Sequence, residues 1–261
     1  MIILNDEFLM QSVSAFLLLT IRLSAFFLVA PVFSASAITL PIRIGMLLGL
    51  TVGLMGSITV PPIDLFSPAG TSIIAREVLI GISIGIIFQI AFAGVSMAGE
   101  HIASSMGLGF ASMIDPQTGA QSPVVTQFLS ILMILIFMVT EGHHVLLRQL
   151  VASYKVAPIG GDLDSALFIG IFKAGALIYS AALIISLPVV VLLFLVNMLI
   201  GFMTRVAPQM NIFSIGFPLT ILVGFTMLLI SLPSMANAMS GLLQTASSMV
   251  QDLVLETKAL P

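Results

Sequence analysis

The chain has 261 residues, 59% of them hydrophobic and only 7% charged. An ordinary soluble domain carries about 25% charged residues, so this composition cannot cover a water-facing surface of normal size, and a soluble enzyme and a disordered chain are both excluded. Eight Lys and Arg against eleven Asp and Glu exclude a basic nucleic-acid face, and the lack of any cysteine excludes disulfides and thiolate metal sites. What remains is an all-α polytopic membrane protein.

Asp6 and Glu7 stand where a cleaved signal carries positive charge, and the apolar run behind them is long enough to span, so insertion without cleavage is expected. A spanning helix needs about 20 mainly apolar residues. Cutting at charges and at Pro or Gly clusters predicts six long apolar helices, at residues 8–29, 42–60, 78–98, 124–139, 174–203 and 217–243, in a single domain over 1–261. The fourth is short. The fifth and sixth form a long-helix hairpin over 174–243 and contain Pro188 and Pro233, which are expected to kink or break them. Between the fourth and fifth, residues 145–154 read as an amphipathic stretch. If all six cross fully, both termini share one side. Arg76, Arg148, Lys155, Lys173 and Lys258 then face Arg43 and Arg205 across the membrane, which favours cytoplasmic termini.

Gly45, Gly49 and Gly53 recur every four residues, and Gly81 and Gly85 repeat the spacing. Glycine ridges of this kind let membrane helices approach closely, either within one chain or against other membrane subunits. Arg22 lies inside the first apolar segment, where a charge must face protein or water and find a partner. Glu77 and Glu100, at the two ends of the third segment, are the candidates, and a structural ion pair is favoured over a proton relay. Glu141, His143 and His144 lack the i, i+4 spacing of helical metal sites, so no metal site is assigned. Asp162 and Asp164 read as a helix start. Neither a catalytic constellation nor a cofactor motif stands out.

Residues 99–122 (GEHIASSMGLGFASMIDPQTGAQS) are too rich in glycine for a confident spanning helix and too apolar for a free aqueous loop. Irregular backbone at membrane depth is tolerated where protein buries it or where it borders a water-filled cavity. Two readings stand: a deformable, plug-like constriction with Met106, Phe110 and Met113, or a connector with an interfacial helix.

The residues then call for a family. Arg22 followed by APVFS (30–34), Glu77 with Gly81 and Gly85, AGEHI (98–102), MGLGFASMIDP (106–116), GHH (142–144), LP (187–188) and GFMTRVAPQMNIFSIGFPL (201–219) occur in an order and spacing that resembles the FliR/SctT family, the R component of type III export gates. The resemblance implies a noncatalytic subunit of the bacterial inner membrane and flagellar basal body. Such a subunit assembles with FliP-like and FliQ-like chains, beside an FlhB-like chain, into a pore for unfolded flagellar proteins. It also implies apolar hairpins stacked in a helical assembly instead of simple spans. The matching loop, with Met106, Gly107, Gly109, Phe110, Met113, Ile114, Asp115 and Pro116, would act as a plug. A small-molecule or ion transporter is the competing function. It would be expected to repeat polar midplane sites in both halves, and here Arg22 and Asn197 are the main polar groups within the long apolar segments.

Overall fold

The computed structural model of the protein describes residues 6–35, 38–61, 63, 65, 67–108, 124–161, 166–207 and 212–256. Among them every regular element is an α-helix: α1 (Asp6–Val29), α2 (Leu40–Met55), α3 (Pro68–Ser105), α4 (Val124–Val139), α5 (Gly142–Val156), α6 (Ala166–Val206) and α7 (Ile212–Glu256). The six expected segments each become a helix. The amphipathic stretch becomes α5, which turns Leu146, Gln149, Leu150, Ser153 and Tyr154 inward. Asp162 and Asp164 lie outside the described residues.

Helix length corrects the count of spans. Four helices are long and apolar enough to cross a membrane, or five if α4 and α5 form one broken span. α2 has 16 residues and reaches about 24 Å at 1.5 Å per residue, short of a hydrocarbon core about 30 Å thick. The parity argument for the termini therefore loses its footing. In the other direction, α3, α6 and α7 have 38, 41 and 45 residues and run about 57, 62 and 68 Å. Each is about twice what a bilayer core accommodates.

Of the expected kinks or breaks, the breaks do not occur. α6 stays helical through Pro188, and α7 through Pro218 and Pro233. Proline removes one intrahelical bond, but in a membrane helix neighbouring groups re-satisfy the freed carbonyl. α3 likewise absorbs Gly99 and Glu100 and ends at Ser105, within the glycine-rich stretch.

The chain divides into two compact units. The first holds Met1–Gln89, Glu141–Gly175 and Thr245–Pro261, and the second Ile90–Thr140 and Ala176–Gln244. In the first, Leu18 and Leu19 of α1 pack with Tyr154 and Ile159, flanked by Leu54 and Met55 of α2. The hydroxyls of Thr20 and Thr51 meet at 3.4 Å. α1 crosses α3 at the glycines. A methyl on Gly81 would collide with the Arg22 carbonyl, and one on Gly85 would lie 3.0 Å from the Ala30 nitrogen. In the second unit, a methyl on Gly94 would lie 2.8 Å from Ala181 Cβ and one on Gly99 2.5 Å from Thr126 Cα, while Phe92 meets Phe137 edge-on.

The two glycine ridges, alike in spacing, sit in opposite surroundings. Gly81 and Gly85 are spent on contact with α1. A methyl on Gly45, Gly49 or Gly53 would meet no neighbouring element within 4 Å among the described residues, and Leu40, Ile42, Ile44 and Val52 of the same helix are exposed. Gly81→Leu is therefore expected to lower the melting temperature of the isolated chain in detergent, because backbone cannot yield to a side chain. Gly49→Leu should leave that temperature unchanged. Equal melting for both variants and the parent would contradict the α1–α3 contact.

Candidate functional site

Arg22, Glu77, Ser153 and Tyr154 converge inside the first unit. Arg22 and Glu77 are fully buried. The guanidinium grips the carboxylate in a fork, with Nε donating to Oε2 at 2.7 Å and Nη2 to Oε1 at 3.0 Å. Nη1 donates to Ser153 Oγ at 3.0 Å, and Nη2 also to the Ala157 carbonyl at 2.8 Å. The guanidinium carbon lies 4.1 Å from the centre of the Tyr154 ring, within cation–π range. The Tyr154 hydroxyl donates to the Leu19 carbonyl at 3.1 Å.

A second arginine extends the cluster. Arg76 Nη1 lies 3.6 Å from Glu77 Oε1 and donates to the Pro158 carbonyl at 2.8 Å. Two guanidinium groups thus meet one carboxylate and two carbonyls just past the C-terminus of α5. A helix end of that polarity favours cations. The sequence left two partners open for Arg22, and the structure pairs it with Glu77. Glu100 is exposed. Because α3 begins at Pro68, Glu77 sits well inside a helix and not at the rim of one. Arg76, Ser153 and Tyr154 escaped the sequence reading. The only hint of them was the Arg76–Glu77 adjacency and the inward face of α5.

The other candidate residues scatter. Glu141 Oε2 and His144 Nδ1 approach to 3.6 Å on an exposed edge, and among the described residues no three His, Asp or Glu gather to hold a metal. Met106 is not at a free surface: it is fully buried, and a methyl on Gly224 would lie 2.6 Å from its Cγ. Gly107 follows with φ +83°. Gly109, Phe110, Met113, Ile114, Asp115 and Pro116 lie outside the described residues.

The family described as bacterial export proteins, family 1, matches residues 13–246. The flagellar biosynthetic protein FliR of Pectobacterium carotovorum subsp. carotovorum is 36% identical over 234 residues, which is 89% of this chain and 90% of the relative. Its namesake from Escherichia coli (strain K12) is 33% identical over 237 residues, 90% and 91% of the two chains. The one from Bacillus subtilis (strain 168) is 36% identical over 222 residues, 83% and 85%. The chain belongs to the FliR family of bacterial export proteins. The matched span includes the Arg22–Glu77 cluster, the glycine contact and the end of α3, so the FliR-type region is the structure described above.

Nothing in the cluster is poised for chemistry, since four of the guanidinium's bonds are already made. Its expected effect is on stability. Removing one partner of a buried pair leaves an uncompensated charge and costs about 3–5 kcal/mol. Arg22→Ala should therefore lower both melting temperature and yield. Arg22→Lys should not rescue them, because an ammonium cannot reproduce the fork. The double change Arg22→Met with Glu77→Leu should recover much of the loss, measured by thermal unfolding in detergent. An Arg22→Ala protein that assembles fully and has lost only its response to proton-motive force would assign Arg22 to a relay instead.

Proposed function

We propose that this chain is a noncatalytic pore and gate subunit of the flagellar type III protein export apparatus. It assembles with FliP-like and FliQ-like membrane subunits, and with an FlhB-like subunit, in the bacterial inner membrane at the flagellar basal body, where unfolded flagellar proteins pass through. The observation that carries this reading is the FliR-family match across residues 13–246, together with relatives named as flagellar biosynthetic proteins. The physical character of the molecule agrees. Phe172, Phe194 and Phe202 of α6 and Leu222, Leu229 and Ile230 of α7 are exposed, on helices about twice as long as the bilayer core is thick. Apolar surface that extends beyond the bilayer requires protein to cover it.

The gate is assigned to the segment that begins at Met106 and ends at Ser122. It carries no Lys or Arg, and Phe110, Met113 and Ile114 alternate with small residues. Apolar groups in a constriction exclude water and ions by dewetting, and glycines permit the backbone changes that passage of a substrate requires. With Met106 packed into its own chain, the occluding groups are Phe110, Met113 and Ile114, with Asp115–Pro116 setting the turn.

Mild detergent extraction tests the assembly: FliP-like and FliQ-like chains should co-purify in fixed ratio, whereas an isolated chain that supports solute flux would favour the transporter. For the gate, deletion of residues 109–119 in an intact complex should let the membrane leak small ions. An assembled deletion complex as tight as the parent would return the segment to the role of connector.

A further inference from the structure

The last turn of α3 is built as a stop. Gly107 N–H donates to the Ser104 carbonyl and Leu108 N–H to the Ala103 carbonyl, both at 3.0 Å, with Gly107 in the left-handed region at φ +83°. This is the paired-bond helix ending that glycine at this position permits. Such an ending still leaves the last carbonyls without helical donors. Two of them are met from other helices. The Thr220 hydroxyl of α7, itself buried, lies 3.1 Å from the Met106 carbonyl and shares its proton with Phe217 O at 2.9 Å. Asn197 Nδ2 of α6 donates to the Ser105 carbonyl at 3.3 Å. One turn beyond Thr220, Gly224 opens a notch filled by the Met106 side chain. A methyl there would lie 2.6, 2.8 and 2.9 Å from Met106 Cγ, Cε and Sδ.

We propose that Thr220, Gly224 and Asn197 form a seat that holds the end of α3 on α6 and α7 at rest and during export alike, so that the chain beyond Leu108 always departs from one fixed point. These are positioning residues, and the proposal rests on the export reading above. Leaving the seat would expose a fully buried methionine and strip its carbonyl of the Thr220 donor, both of which cost free energy. Thr220 and Gly224 act as a pair four residues apart, on one face of α7.

Because the chain has no cysteine, Met106→Cys with Gly224→Cys introduces a single possible disulfide within it. A Cβ at position 224 lies 2.6 Å from Met106 Cγ, so the two cysteine Cβ atoms are at most about 4 Å apart, close enough for a disulfide. In the assembled complex, oxidation should cross-link the pair, and export of a flagellar substrate should continue without loss relative to the reduced complex. A pair that does not cross-link, or a cross-linked complex that stops exporting while the reduced one works, overturns the fixed seat. If the pair is inactive even when reduced, ion leak decides. Gly224→Leu and Thr220→Val should each leak with subunit recovery unchanged, Thr220→Ser should stay tight, and Met106→Gly should restore tightness to Gly224→Leu. Tight Gly224→Leu and Thr220→Val complexes beside a leaking 109–119 deletion overturn the seat and leave the gate standing. A tight deletion complex removes the gate reading, and the disulfide result then judges the seat alone.

Discussion

A fully buried arginine is the constraint on which the first unit depends. A guanidinium in a low-dielectric interior is tolerated only when its donors are met, and the groups that meet those of Arg22 come from far apart in the chain: Glu77, Ser153 and the Ala157 carbonyl. The fork to Glu77 fixes the rotation of α1 against α3. One turn further along α3, Gly81 lets the two backbones close to contact, and a turn after that Gly85 does the same. The ion pair and the glycine contact are thus parts of one arrangement: without glycine the fork could not close, and without the fork the close approach would bury an unpaired charge. Arg76 carries the arrangement to the end of α5 through the Pro158 carbonyl.

The second unit uses different means. Among its described residues no ion pair like Arg22–Glu77 is present. Its helices approach through small residues, with Gly94 against Ala181 and Gly99 against Thr126, and a hydroxyl contact joins Ser96 and Ser130 at 3.2 Å. Helices in an apolar environment associate through such close packing and local hydrogen bonds, because burying hydrocarbon gives little advantage there. Long apolar faces on α6 and α7 remain exposed in the single chain.

The helices were legible in the sequence because their signal is apolar run length: α4 occupies the residues expected of it, and the amphipathic stretch at residues 145–154 lies within α5. Their ends were not. α3 begins ten residues before the apolar run and outlasts it by seven, since polar and glycine residues extend a helix once packing supports it, and Pro188, Pro218 and Pro233 interrupt nothing. Spacing identified both glycine ridges, but whether a ridge meets a neighbour in its own chain is a tertiary fact, and only Gly81 and Gly85 do. The need of Arg22 for a partner was readable. The choice of Glu77 over Glu100 depended on which turn of α3 faces α1. The fit of Met106 to Gly224, more than a hundred positions away, leaves no local trace in the sequence.

In the proposed function, unfolded protein passes beside the segment that follows Met106. The most direct measurement places a photo-reactive amino acid at Phe110 in the assembled complex and stalls an export substrate by fusing it to a domain that folds tightly. Illumination should attach the substrate to this chain at Phe110, and the adduct should be absent without a stalled substrate. A substrate that stalls and is held in the complex, yet gives no adduct at Phe110 or at Met113 probed in the same way, would contradict the account.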